Sequence, residues 1–454
     1  MKYHVIGIGG AGMSAVARLL ASHAQVSGSD NGRWPLAEAL RDLGVTVHER
    51  FDPQNVIGAD VVIRSSAYGD ENPEVAAAQA AGIPLWRRHE AWRQIARGRV
   101  VVAIAGTHGK TTSSAMSWAA VRAGPRDPSL ICGGELRELG SNAYVGTGPE
   151  LVIEADEYDR TFLALSPAVA VVTNVEHDHV DHFPTPDEYA EAFLEFALRT
   201  IPGGTVVACA DDPGSLQLAG RARERLRGRA DVITYGTSAV AEVAITDVRE
   251  TAEGTAATLR IDGRAVPLAL GVPGIHNLRN ATAAVVAAHR LGVAPADAAA
   301  ALRTLGLPGR RLETLGEADG VLVVDDYAHH PTEIRASIAA MRARTKGRVV
   351  ACFQPHTASR LRAFFDDFAA ALGEADIALV AETFSSARER ADREGLARSL
   401  AQRAGAGYAA DIEAAARELA ERTAPGDVAL ILGAGDVRAA GVRLLELLRS
   451  RTPV

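Results

Sequence analysis

The sequence predicts an α/β protein of three units with parallel, doubly wound sheets, and three observations carry that prediction. Its 454 residues exceed what one ordinary hydrophobic core organises. Three times, an apolar strand opens a new unit and runs into a glycine-rich or polar turn followed by a helix. Strands and helices then alternate, which puts ligands at the carboxyl ends of the strands.

The first unit, 1–98, begins with strand Tyr3–Ile8, turns at Gly7, Gly9 and Gly12, and continues as a helix over Met13–Ser22. Strand Gln25–Gly28 ends in Ser29-Asp30 and strand Asp60–Ile63 in Ser65-Ser66-Ala67; a helix over His89–Arg97 and Gly98 closes the unit. The second unit, 99–306, opens with strand Arg99–Ala105 and the loop Gly106–Thr112, followed by strands Leu151–Glu154, Ala168–Thr173 and Thr205–Ala210. A more β-rich stretch over Ala241–Leu270, read as a smaller β subdomain, precedes the turn Gly271–Gly274 and an Ala-rich helix over His276–Leu291. The third unit, 307–454, follows Pro308-Gly309-Arg310-Arg311 with strands Val321–Asp325, Val349–Phe353, Ile377–Ala381 and Val428–Gly433. The first and third units thus read as Rossmann-like, and the central one as a parallel sheet with a glycine-rich loop after its first strand.

Composition narrows the function classes. A chain 47% hydrophobic and 23% charged reads as globular, and a net charge of −8 with no basic stripe argues against nucleic-acid binding. No segment approaches the roughly 18 apolar residues of a membrane span. The first residues read as a strand rather than a secretory signal. Cys132, Cys209 and Cys352 lie far apart in apolar settings, without metal or disulfide spacing, so buried thiols are expected. A cytoplasmic monomer or homodimer is the expectation.

Gly106-Thr107-His108-Gly109-Lys110-Thr111-Thr112 carries the strongest chemistry. Consecutive N–H groups leading into a helix make a concave anion site, Lys110 would face β/γ-phosphates, and the Thr111 hydroxyl suits Mg²⁺. Ile104 stands where the full phosphate-loop pattern has another glycine, so this loop is a shortened form. Gly7, Gly9 and Gly12 with Asp30 fit the dinucleotide fingerprint. Taken alone they predict an NAD oxidoreductase; beside a second nucleotide loop they read as the cradle of a nucleotide-diphosphate substrate.

Acids follow two strands: Glu154-Ala-Asp156-Glu157-Tyr-Asp159, and Glu176-His177-Asp178-His179 with Asp181-His182. Zinc is one reading of the second cluster, but its oxygen-rich surroundings favour Mg²⁺. His177 and His182 are expected to be solvated loop residues. Asn277 and Asn280 suit an adenine edge, with helix capping by Asn277 as the competing role. Asp325–Pro331 and Phe353–His356, with Arg360 one turn beyond, end strands of the third unit and should face ligands.

In order along the chain, GIGGAGMSA (Gly7–Ala15), SGSD (Ser27–Asp30), GTHGKTT (Gly106–Thr112), EADE (Glu154–Glu157), TNVEHDH (Thr173–His179), GIHNLRN (Gly274–Asn280), DDYAHHPTE (Asp325–Glu333), FQPH (Phe353–His356) and GAGD (Gly433–Asp436) resemble the Mur ligase superfamily. The resemblance implies a UDP-sugar domain, a central ATPase and an amino-acid domain. It implies ligation of L-alanine to the carboxylate of UDP-N-acetylmuramate through an acyl phosphate, with ATP and two Mg²⁺ ions. Gly9, Gly10, Ala11, Gly12, Asp30, Ser65 and Ser66 would hold the UDP-sugar. The loop Gly106–Thr112, Asn277, Asn280, Arg311 and Asp325 would bind ATP, and Thr111, Glu154 and His179 the metals. Lys110, His179, His329, His356 and Arg360 would be catalytic, with His329 or His356 as candidate bases.

Several superfamily members place a modified lysine after the DH element, but Asp181–Leu198 contains no Lys, as in the alanine-adding branch. That branch often continues FQPH with Arg-Tyr-Thr-Arg, where this chain has Thr357-Ala-Ser-Arg360. Tyr158 replaces a frequent Ser and resembles the recycling branch, which joins a preformed peptide to the same UDP-sugar.

Overall fold

The computed structural model describes residues 1–251, 254–384 and 395–451. Residues 252–253, inside the stretch predicted to be β-rich, lie outside the described residues. Three sheets organise the chain. In the first, five parallel strands run in the order Thr46–His48, Gln25–Ser29, Lys2–Ile6, Val61–Arg64, Leu85–Arg87. Lys2–Ile6 lies at the reversal of strand order, so the glycine turn after Ile6 opens into the crevice where such sheets bind ligands. The helix behind that turn, Ala11–Ala21, buries Met13, Val16, Leu19 and Leu20 at helical spacing.

The central sheet has ten strands. Val100–Ala105 lies between Glu150–Glu154 and Val169–Val172, all parallel, and its own residues are almost wholly buried, as a strand covered on both faces requires. The β-rich stretch forms an antiparallel meander of Val243–Glu250, Thr255–Ile261 and Arg264–Leu270. Tyr235 and Gly236 pair with Val243 and Ala244, so the meander extends the central sheet. Helices Lys110–Arg122 and Ile275–Arg290 share one face of this sheet; the small Ala281, Ala284 and Ala288 let them pack closely, and Ser113 Oγ bonds Asn280 Oδ1 at 3.1 Å.

The third sheet runs Glu313–Ala318, Val321–Asp326, Val428–Leu432, Val349–Phe353, Ile377–Ala381, Gly407–Ala409, parallel except for the first strand. Helix starts follow local chemistry throughout. Pro73, Pro186, Pro213 and Pro331 occupy first-turn positions, and Asn72, Thr185 and Asp212 accept backbone N–H groups as caps.

Specific contacts dock the units. Asn142 Nδ2 donates to the Ala11 carbonyl at 2.6 Å, and Arg88 pairs with Asp156 at 2.6 Å, tying the first unit to the centre. The Gly309 N–H meets the Glu135 carbonyl at 3.0 Å, and Arg137 pairs with Glu313 at 2.6 Å, tying the third unit to it. Cys132, Cys209 and Cys352 are free and buried, as expected. No helix of the described residues is long and apolar enough to cross a membrane.

Candidate active site

The loop after Val100–Ala105 is a close-fitted cradle. Gly106 has φ 143° and Gly109 φ 78°, conformations that side chains rarely adopt. A Cβ on Gly109 would lie 2.7 Å from Asn280 Oδ1. The loop interlocks with the segment after Val169–Val172: His108 N–H donates to Asn174 Oδ1 at 2.8 Å, and Thr107 Oγ1 to the Glu176 carbonyl at 2.8 Å. Gly109 then starts helix Lys110–Arg122, leaving first-turn N–H groups directed outward.

Lys110 folds back over this loop. Its Nζ donates to the Gly106 carbonyl at 2.6 Å, the Thr107 carbonyl at 3.0 Å and Glu157 Oε1 at 2.9 Å. Glu157 is fully buried, and its Oε1 also meets Tyr189 Oη at 3.2 Å and His179 Nε2 at 3.3 Å. Its Oε2 has no hydrogen-bond partner among the described residues. Thr111 Oγ1 donates to Glu154 Oε1 at 3.1 Å, and Glu154 Oε2 accepts the Gly133 N–H at 2.5 Å. Burial pushes the Glu154 carboxyl up, against the pull of Lys110. Asp156 is half-buried, but Arg88 and Lys110 outweigh the desolvation and hold its carboxyl down to about 2. A hydroxyl, an adjacent carboxylate and an orphan buried carboxylate oxygen form an oxygen-rich set that fits Mg²⁺.

Lys110, Thr111, Glu154, Asp156 and His179 line a cleft of ≈ 600 Å³ whose far wall belongs to the third unit, through Arg310, Arg311, His329 and Arg438. Arg310 (φ 60°) is held by Asp325 Oδ2 at 3.1 Å and by the Gly433 carbonyl at 2.6 Å. Arg310 and Arg311 both lie over the Tyr327 ring, 5.1 and 5.0 Å from its centroid, and Arg311 lines this cleft and a second one. Asp325 is buried between Arg310 and Arg438 and lines neither cleft, whereas Asp326 lines the second. His329 Nδ1 lies 3.0 Å from the Tyr327 carbonyl, an acceptor, so Nδ1 carries the proton and Nε2 the lone pair. Burial pushes this imidazole down to about 3, which keeps it neutral. His356 stacks on Phe384 and lies outside the lining of the first cleft. Arg360 reaches across the unit boundary to a bidentate pair with Asp178, at 2.8 and 3.1 Å.

The second cleft, ≈ 430 Å³, contains His108, Gly109, Thr112, Asn277, Asn280, Arg311 and Asp326. Asn277 lies inside helix Ile275–Arg290, whose N-cap is Gly274, and its Nδ2 donates to the Pro273 carbonyl at 2.7 Å, so it is not the capping residue. A third cavity holds Ser65 and Ser66 together with Arg64, Arg88, Tyr158 and His182. At the first glycine turn Asp30 is turned inward, its Oδ2 accepting the Gly9 N–H at 2.8 Å and its Oδ1 the Tyr68 hydroxyl at 2.9 Å. Ala11 and Gly12 open the next helix and so supply N–H groups without intrahelical partners.

His177 and His182 differ from the expectation of solvated loop residues. His177 Nε2 bonds the Phe183 carbonyl at 2.8 Å and its ring packs on Tyr189 and Phe364; His182 packs on Tyr158 and Phe183. Glu157 and Asp178 appear in motifs, but their partners are set by folding. Tyr189 and Arg88 carry no sequence signal.

Glu313, on the rim of the first cleft, makes a pH prediction. Hydrogen bonds from Arg438, then from the Arg310 N–H and Arg137, outweigh burial and hold its carboxyl down to about 2 from an ordinary 4.5. A depressed carboxyl stabilises the fold above its unfolded pKa, and that contribution is lost as pH falls through the folded value. Urea unfolding at a series of pH values should therefore show a stability loss between pH 4.5 and about 2 that is shallower in Glu313→Gln. Equal slopes in the two proteins would refute it.

Comparison with known proteins identifies the family. Three family models match, described as Mur ligase family, catalytic domain (residues 2–100), Mur ligase middle domain (104–288) and Mur ligase, glutamate ligase domain (310–435). A protein of Kineococcus radiotolerans named UDP-N-acetylmuramate–L-alanine ligase is 46% identical over 99% of this chain and 97% of its own length. A Roseiflexus protein of the same name is 41% identical over 99% and 100%. The crystal structure of the UDP-N-acetylmuramate-alanine ligase of Thermotoga maritima, 27% identical, superposes with a TM-score of 0.80 over 100% of both chains. A murein peptide ligase from Psychrobacter arcticus shares the fold, with a TM-score of 0.75 at 21% identity. With family models matched along nearly its whole length and relatives above 40% identity, this chain belongs to the Mur ligase family.

Proposed function

We propose that the protein joins L-alanine to the carboxylate of UDP-N-acetylmuramate, consuming ATP and releasing ADP and phosphate. One observation carries the reading: a single cleft is walled by the phosphate loop and Lys110 on one side and by Arg311 and His329 on the other. A phosphoryl donor held by the central unit and an amine held by the third would meet there. The relatives named for this reaction match nearly the whole chain, which supports the same substrates. Units 1–98, 99–306 and 307–454 would then act as UDP-sugar, ATP and amino-acid domains.

The residues suggest a division of labour. Ala11 and Gly12 would receive the UDP diphosphate on helix N–H groups, with Asp30 fixing the loop and Ser65 and Ser66 contacting the same substrate. Asn277, Asn280 and Arg311 would hold the nucleotide. Thr111, Glu154 and His179 would hold Mg²⁺, which when bound neutralises phosphate charge. The substrate carboxylate attacks the γ-phosphorus, ADP leaves, and an acyl phosphate forms; Lys110 offsets charge on the transferring group. The neutral amine then attacks the acyl carbon, phosphate departs, and the Nε2 lone pair of His329 would take the amine proton, its basicity raised by the anionic phosphate bound in the same cleft. Closure of the third unit over the cleft keeps water from the acyl phosphate.

Phosphate release with ATP, Mg²⁺ and UDP-N-acetylmuramate, compared across L-alanine, glycine, L-serine and an L-Ala-D-Glu-diamino acid tripeptide, tests the proposal. L-alanine should be preferred. Tyr158 favours a second reading, tripeptide addition, and release with the tripeptide alone would establish it. No release with any amine would end the ligase assignment.

A further inference from the structure

We propose that His108, Glu176 and His330 form a transition-metal site, distinct from the Thr111–Glu154–His179 set, that fastens the third unit to the phosphate loop. His108 stands in the loop itself, Glu176 follows strand Val169–Val172, and His330 is the N-cap of helix Pro331–Arg344 in the third unit. One ligand atom from each lies within 4.8 Å of the others. His108 Nε2 is 2.9 Å from Glu176 Oε2, and His330 Nδ1 is 3.9 Å from the same oxygen.

The state of His330 shows what the cluster lacks. The ring is 3% exposed and hemmed by His108 and Phe364, with centroids at 4.7 and 4.9 Å. Its Nδ1 accepts only a long hydrogen bond, 3.4 Å from the Thr332 N–H, so Nδ1 carries the lone pair. Nε2 has no partner among the described residues. The Nδ1 lone pair, held only by that long bond, and the Glu176 Oε2 oxygen thus lie 3.9 Å apart, a separation that a cation drawing Nδ1 from the Thr332 N–H would bridge.

The surroundings are those of a metal site. His108 Nδ1 lies 3.3 Å from Glu333 Oε1, so a carboxylate orients the imidazole from behind and turns Nε2 to the centre. Glu176 Oε1 accepts the Thr332 hydroxyl at 2.7 Å, which fixes the carboxylate plane. Two imidazoles and one carboxylate select Zn²⁺, Co²⁺ or a similar ion over Mg²⁺. Bonds of about 2.0–2.1 Å in a tetrahedral site put ligand atoms about 3.3 Å apart. The His108–Glu176 separation must widen, and the Glu176–His330 separation shorten, by a few tenths of an ångström. The fourth position would be left to water or a ligand in the second cleft, which His108, Glu176 and Thr332 line. Because the ligands come from two units, a bound ion also favours the docked arrangement.

Titrating the full chain with Co²⁺ in excess Mg²⁺, while following the visible absorption of four-coordinate cobalt, tests the site. One equivalent should bind, be displaced by Zn²⁺, and weaken at least about 10-fold in His330→Gln and in Glu176→Gln. Glu154→Gln should bind Co²⁺ like the parent. Zn²⁺ should raise the melting temperature of the parent and not of the two site variants, with far-UV circular dichroism checking that both fold. Absence of a saturable band, displacement by Mg²⁺, or unchanged affinity in His330→Gln and Glu176→Gln would overturn the proposal, as would loss of binding in Glu154→Gln alone.

Discussion

Lys110→Met is expected to lower kcat by at least about 10³-fold, the scale of one cation at a transferring phosphoryl group. The same variant should also lose stability, for a separate reason. Lys110 Nζ is the positive partner of Glu157, whose side chain is 0% exposed and whose Oε2 is already without a partner. Removing the lysine leaves a buried carboxylate facing only Tyr189 and His179. Breaking one side of such a pair costs about 3–5 kcal/mol. Lys110→Met/Glu157→Gln removes both charges, so its melting temperature should return towards the parent's while kcat stays low. That separation is the informative result. If the double variant recovers activity with stability, Lys110 serves the fold; if Lys110→Met stays within about 10-fold of the parent kcat, phosphate binding lies elsewhere.

The Lys110–Glu157 pair also marks the limit of what the sequence reveals. Glycine spacing and periodicity locate Val100–Ala105, the cradle and the helix at Lys110, because those features depend on residues near in sequence. The same holds for Val349–Phe353 and Ile377–Ala381, whose predicted limits match the strands. Local pattern fails where pairing is made by distant chain. Ser129–Leu136 carries two glycines and is not among the predicted strands, yet it pairs beside Glu150–Glu154. Glu313–Ala318 lacks apolar alternation and is an edge strand set by Val321–Asp326. At the site, motifs place Asp325 among ligand-facing residues, but Arg310 and Arg438 enclose it, and its neighbour Asp326 reaches the cleft. Which of two adjacent carboxylates faces a cavity is decided by strand pleat and by arginines more than a hundred residues on, as with Arg438.

Arg360→Lys is expected to lower kcat by about 10²-fold through geometry, since the charge is kept. Arg360 and Asp178 are 8% and 4% exposed, and their two parallel bonds join the third unit to the residue preceding His179. A lysine cannot reproduce the planar fork. Two responses to the imperfect pair differ in cost. If the units stayed docked, Asp178 would remain buried with one poor partner, at several kcal/mol. If they part, water reaches Asp178 and most of that cost disappears. Separation is therefore favoured, so the loss should appear as an open molecule rather than an unfolded one. Small-angle scattering should show a larger radius of gyration for Arg360→Lys, with a melting temperature close to the parent's. Asp178→Asn should behave alike, because it removes the other half of the same clasp. An arginine that only held the amino-acid carboxylate would act differently: KM for the amino acid would rise, the radius would not change, and Asp178→Asn would be nearly silent. Unchanged scattering in both variants, with parent-like kcat, would show that this pair does not control docking.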